Sequence, residues 1–270
     1  MPLEPIAGED SQALAQRIRG FWDDRALQFG VSQRATLGET YLRHVEIQQM
    51  LKRLRRRRPG RVLDVGCGNG FSTRTYAQAL PDTQFFGVDY SRQMIDLARQ
   101  DALRNTSFQW ADVTDPATLP EGQFDVIYTQ RCIQNLPDKA TQQRAIAELR
   151  SRLSPDGLLI LNECSRPGVA QLNGLRQRLG LKPIENIEPW HNRFMIDAQL
   201  KQQFDAEVHH ISSTYMFLAK IIHKRLAKWA RFLPAVGRFG YDRFYLIRPV
   251  SAASQPVARP ATQDAVRRAA

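Results

Sequence analysis

Three glycines and two acids carry the first readable chemistry of this chain. Gly66, Gly68 and Gly70 fall in VLDVGCGNGF, between an apolar run and a segment of helical pattern. Glycine there lets the backbone turn sharply and lets a ligand approach main-chain N–H groups with no Cβ in the way. Asp64 precedes the loop, and Asp89 closes FFGVD 19 residues after Gly70. A carboxylate at the end of a second strand can accept both hydroxyls of a ribose. The dinucleotide fingerprint requires glycine where Phe71 stands, so the loop departs from that class. A tight strand-to-helix turn with no ligand is the plainer alternative.

Elements of regular structure must hold these residues at one edge. Short β-rich runs occur at 61–65, 84–88, 107–110, 124–129 and 157–163, with helical patterns at 70–80, 91–104 and 138–153 between them. This alternation predicts an α/β fold, a doubly wound and mostly parallel sheet covered on both faces. Residues 1–60 read as an N-terminal helical cap, with helical spacing through Leu14, Ile18, Phe21 and Trp22 and again from Tyr41 to Leu54. The main domain would run over 61–250, with a lid-like insertion at 164–203. A strand at 206–213, a basic helix at 214–232 and a strand at 241–249 complete it. The tail 251–270, rich in Ala, Ser, Pro and Gln, reads as disordered.

Four stretches follow the loop in order: GVDYSRQMIDLAR, WADVTD, FDVIYTQRCIQNLPD and LRSRLSPDGLLILNE. With the loop, they resemble the class I S-adenosylmethionine (SAM)-dependent methyltransferases over residues 61–163. The resemblance implies a Rossmann-like seven-stranded sheet whose last strand is antiparallel. It implies SAM as cofactor, S-adenosylhomocysteine as its product, and no metal. Cofactor contacts would come from Asp64, Gly66, Cys67, Gly68, Gly70, Asp89 and Tyr90. Asp112 would hold the adenine amino group with Val113 beside it, and Gln130 would follow the fourth strand. Arg131, Cys132 and Asn135 border the same crevice. Arg131 and Asn135, with Trp190 and Asn192, are candidate substrate contacts.

Methyl transfer from a sulfonium is an in-line displacement. The protein must bring the nucleophile to near-attack distance and, for a hydroxyl, remove its proton. His191 in EPWHNRFMID is a candidate general base. Glu163, at the end of the fifth strand, is a candidate base or substrate ligand. Phe21, Trp22 or Tyr41 could face the sulfonium, with core packing as the alternative. Cys132 reads as packing, since methyl transfer needs no enzyme thiol.

Charge and cysteines bound the acceptor and the compartment. The net charge is +11, and seven cations lie in 52–61 and six in 216–238, with no acid in either stretch. Cys67, Cys132 and Cys164 match no zinc spacing. The start MPLEPIAGED lacks a basic, then apolar, leader, so a cytoplasmic protein with reduced thiols is expected. The lid-like insertion favours a small-molecule, saccharide or lipid-like acceptor and O-methylation. An RNA methyltransferase would use the basic surface, but stacking aromatics around the run and an Asn-Pro-Pro-aromatic sequence are both missing. A non-catalytic SAM-binding protein is the third reading. On an ideal helix, MFLAKIIHKRLAKWARFLP sets Leu218, Ile221, Ile222, Leu226, Trp229 and Leu233 on one face and lysines on another. That is the pattern of peripheral contact with anionic lipid through 216–234; a helix packed on the sheet is its alternative. Arg55 to Arg58 end the capping helix at the edge opposite the crevice, as a solvated face or docking patch.

Overall fold

A computed structural model describes residues 10–185 and 187–250. The tail expected to be disordered lies outside the described residues. Helix α1 (Ser11–Phe29) begins where the Asp10 carboxylate accepts the Ala13 N–H, and stops at Gly30. Helix α2 (Thr40–Arg57) ends on Arg58 in the left-handed region, with Arg55, Arg56 and Arg57 in its last turn. Cations there oppose the negative end of the helix dipole. Arg55 to Arg58 are exposed and lead into the amino end of the first strand, away from the crevice described below.

The sheet contains β1 (Arg61–Val65), β2 (Gln84–Asp89), β3 (Thr106–Trp110), β4 (Phe124–Gln130), β5 (Leu153–Cys164), β6 (Glu207–His210) and β7 (Asp242–Ile247). Its order is β3-β2-β1-β4-β5-β7-β6. Strands β1 to β5 pair in parallel, and β7 runs antiparallel to both β5 and β6. The crossovers are α3 (Phe71–Ala79), α4 (Arg92–Gln100) and α5 (Lys139–Ser151). One face of the sheet buries Leu63, Ile127, Leu159 and Leu161 with Ile146 and Leu149 of α5. The other buries Val62, Val126, Tyr128 and Ile160 beneath Met50 and Leu54 of α2. Because strand order reverses between β1 and β4, the loops at their carboxyl ends diverge and leave a crevice.

Two segments differ from the sequence reading. Strand β5 starts at Leu153 rather than at Gly157, because the Ser154–Gly157 stretch is accommodated as a register shift against Phe124 and Val126 of β4. The basic stretch 214–232 is not one helix. It comprises α8 (Ser213–Met216), a π-helical turn at Phe217–Ile222 and a 3-10 segment at Lys224–Phe232, broken where His223 is extended. Two β-branched residues, Ile221 and Ile222, precede the break. The bend lets Tyr215 and Met216 on one side of it, and Ala227 and Ala230 on the other, all pack in one cluster with Leu42 and Val45 of α2. The insertion holds α6 (Arg166–Arg178) and α7 (Asp197–Phe204), tied back by a bridge between Ser165 and Met195.

Candidate active site

The glycine loop leaves β1 under tension from two sides. Gly66 and Cys67 both donate to the Val88 carbonyl, at 2.8 and 3.0 Å, which pins the turn to the end of β2. Gly66 and Gly68 adopt φ of 77° and 54°, the region that disfavours side chains. A Cβ on Gly66 would lie 2.6 Å from Cys132 Cβ, and one on Gly68 would lie 2.5 Å from Thr36 Cγ2. Asp89 completes the turn: its Oδ2 accepts the Gly68 N–H at 2.8 Å and its Oδ1 the Ser91 N–H at 2.9 Å. Burial pushes its carboxyl up to about 6 against these bonds.

Two adjoining cavities open at these strand ends. The larger, about 390 Å³, is walled by Val65, Asp89, Tyr90, Asp112, Val113 and Asn135, with Ile18 and Arg19 of α1 across from them. Its size falls within the roughly 300–1,000 Å³ of small-molecule sites. The smaller, about 60 Å³, meets Trp22, Thr36, Gly68, Met94, Gln130 and Cys132. Gly66, Tyr90 and Asn135 border both. Three buried polar atoms in these walls have no hydrogen-bond partner among the described residues: Tyr90 Oη, Gln130 Nε2 and Asn135 Oδ1. An orphaned buried polar atom costs about 1–3 kcal/mol, so three around one space mark a site shaped for a polar ligand. Together with the Asp89 carboxylate, they fit an adenosine-bearing cofactor.

The cap forms part of this wall. Arg19 Nη2 reaches Asp112 Oδ2 at 3.1 Å, and its guanidinium sits 5.1 Å from the Tyr90 ring centre. The other Asp112 oxygen accepts from Thr114 N and Oγ1. Asn69 of the glycine loop donates to the carbonyls of Gly30 and Ser32, at 2.8 and 2.9 Å. Arg19, Thr36, Met94 and Asn69 were not singled out from sequence. Their contacts are long-range, and no local pattern announces them. Of the three aromatic candidates for the sulfonium, Trp22 lines the smaller cavity. Phe21 instead stacks on His191, and Tyr41 is exposed.

Other expected residues lie elsewhere. Asp64 faces away from both cavities, accepting Thr73 Oγ1 at 2.6 Å and Tyr128 Oη at 2.7 Å, and burial pushes it up to about 7. Cys67 packs its side chain with Ile95, Ala98 and Phe108, and burial raises its thiol. Gly70 caps α3, where a Cβ would strike Phe108 Cζ at 2.9 Å. Glu163 is fully buried and borders neither cavity. Its Oε1 accepts Thr129 Oγ1 and the N–H groups of Cys132 and Ile133, and its Oε2 that of Gln134. It therefore anchors the loop after β4. Arg131, at φ 55°, touches the smaller cavity, but its guanidinium turns to Glu46 in a bidentate pair and lies 3.6 Å from Asp242.

His191 also stands back from the cavities. Its ring stacks on Phe21 at 4.4 Å and meets Trp22 and Trp190 edge-on, and burial with Arg25 and Arg193 nearby pushes it down to about 4. It is neutral at pH 7, behind Trp22. Trp190 lies under the Arg17 guanidinium at 4.3 Å. Asn192 is buried, its Oδ1 without a partner among the described residues, outside either lining.

Comparison with known proteins agrees with this edge of the sheet. Residues 62–157 match the family model described as a methyltransferase domain. Over 98 residues the chain is 35% identical to a trans-aconitate 2-methyltransferase from Deinococcus radiodurans, covering 36% of this chain and 35% of that one. Over 145 residues it is 31% identical to a malonyl-[acyl-carrier protein] O-methyltransferase from Halalkalibacterium halodurans, covering 48% of this chain and 52% of the relative. The chain thus spans about a third to a half of the length of these two curated relatives. Among solved structures, the magnesium protoporphyrin IX methyltransferase from Synechocystis PCC 6803 with bound SAH superposes with a TM-score of 0.56. It covers 88% of this chain and 100% of its own at 16% identity, a likeness of fold. The methyltransferase domain so defined takes in the glycine loop, Asp89, Asp112 and the loop after β4, but neither α1 nor the insertion.

Proposed function

We propose that the protein is a SAM-dependent methyltransferase acting on a small-molecule, saccharide or lipid-like acceptor, with oxygen as the methylated atom. The observation that carries the reading is the cluster of Tyr90 Oη, Gln130 Nε2 and Asn135 Oδ1, all buried and unpartnered around cavities that Asp89 also borders. SAM, when bound, supplies a methyl group on a sulfonium as the electrophile. Asp89 would accept ribose hydroxyls with the lone pairs left after its two main-chain bonds. Asp112 and Val113 would border the base, and Gln130 and Asn135 would hold the amino-acid end. Trp22 supplies an aromatic wall to the smaller cavity, suited to a cation. Positioning within this enclosed space is the main catalytic device.

O-methylation is favoured by the named activity of the malonyl-[acyl-carrier protein] relative. The test is calorimetry with SAM and its demethylated product, followed by a labelled-methyl screen across lipid, saccharide, RNA and small-metabolite fractions. Micromolar cofactor binding and label in a small-molecule or lipid fraction are expected. Absence of cofactor binding removes the reading, and label confined to RNA overturns the acceptor class.

A further inference from the structure

The connection between β6 and β7 holds a surface that the cavities do not use. Among the described residues, six of the eleven exposed large apolar side chains lie between Phe217 and Val236. Trp229, Phe232, Leu233 and Val236 crowd into one short stretch, each 49% to 65% exposed. Lys224, Arg225, Lys228, Arg231 and Arg238 are exposed in the same segment. None of these five forms an ion pair among the described residues, and residues 208–241 contain no acid.

We propose that this face docks on an anionic lipid surface. The division between inside and outside is fixed by packing: Ala227 and Ala230 are buried with Leu42 and Val45 of α2, which leaves Trp229 and Phe232 outward. Lys228 Nζ stands 5.4 Å from the Trp229 ring centre, and the Arg231 guanidinium 4.5 Å from that of Phe232. Cations held beside aromatic rings place positive charge at headgroup level while the rings and aliphatic tips enter the acyl boundary. Leu233 and Val236 have no π-face to stack on a base, which disfavours single-stranded RNA. A second copy of this face would set five unpaired cations against five. No described helix is long and apolar enough to cross a membrane, so the contact is peripheral. Lys220 pairs with Glu39 at 2.7 Å, three residues from Thr36 in the wall of the smaller cavity.

The test uses the full chain with vesicles of phosphatidylglycerol and phosphatidylcholine, against phosphatidylcholine alone, read by co-sedimentation. Binding to the anionic vesicles is expected, falling as salt rises. Lys224→Glu/Lys228→Glu/Arg231→Glu should reduce it at least about tenfold, given the attraction of each cation to such a surface. Trp229→Ser/Phe232→Ser should reduce it while leaving the thermal melt unchanged. In the intact protein, tryptophan emission should be quenched by brominated acyl chains, a readout that needs no variant. Wild-type protein left in the supernatant, equal binding to neutral vesicles, or RNA binding through the same three cations without vesicle binding each overturns the proposal. SAM binding by calorimetry reports on the cavities alone, so this proposal and the methyltransferase reading fail separately.

Discussion

The ends of β2 and β5 present the same chemistry to opposite effect. Asp89 and Glu163 each end an apolar run, each is buried, and each is pushed up to about 6 by that burial. Asp89 spends two bonds on main-chain N–H groups and still borders both cavities. Glu163 takes three N–H donors from the loop after β4 and the Thr129 hydroxyl of β4 itself, and borders neither. A strand-end acid is thus a ligand or a brace according to which way its remaining lone pairs face, and position along the strand does not decide it.

That contrast can be broken experimentally. Gly68→Val should have the largest effect, because the new Cβ meets Thr36 and the φ is positive. Calorimetry should show SAM affinity falling on the order of 100-fold, about 3 kcal/mol of strain and clash. Asp89→Ala should cost about 10-fold or more by the same measurement, in keeping with lost charge-assisted bonds. Protonation should mimic it: SAM affinity should weaken as pH falls below about 6. Fold stability runs the other way. A carboxyl whose folded pKa exceeds its unfolded value adds stability as pH falls through the window between them and none above it. Asp89 and Glu163 should therefore not contribute to any acid loss of stability between about pH 7 and the ordinary carboxylate range near 4.

Glu163→Gln sharpens the comparison from its other side. A glutamine amide would set N–H against N–H, so the melt should drop by the equivalent of about 1–3 kcal/mol while SAM affinity changes less than about threefold. An affinity loss as large as that of Asp89→Ala would erase the distinction between brace and ligand. The smallest effect is expected for His191→Ala. The ring packs on Phe21 behind Trp22, so cofactor binding should be unchanged and kcat should move less than about threefold. A hundredfold fall in kcat with normal binding would identify it as the proton acceptor.

How much was legible follows the range of the interactions. The placement of Gly66, Gly68, Asp89, Asp112 and Val113 at the cavity edge was readable because a turn and the strand ends beside it are local features with fixed spacing. The orientation of Glu163 was not, because LLILNE is buried on both faces and carries no alternation to show which way each side chain points. Arg131 escaped for a related reason: its positive φ turns the guanidinium toward Glu46, 85 residues away in sequence. The basic stretch 214–232 had a plausible helical period, but the extended His223 between two packed segments divides it. Such a break depends on α2, which the local sequence does not contain.

Asn69 joins its loop to the carbonyls of Gly30 and Ser32, and Thr36 fills the space a Gly68 side chain would need. The matched core and its cap are consequently not interchangeable modules. Two proteins could share the matched core closely and still differ in what they admit, because the cap supplies an entire wall. Transplanting an N-terminal segment from one relative to another should alter cofactor retention and acceptor choice together, making the first sixty residues a single lever on both.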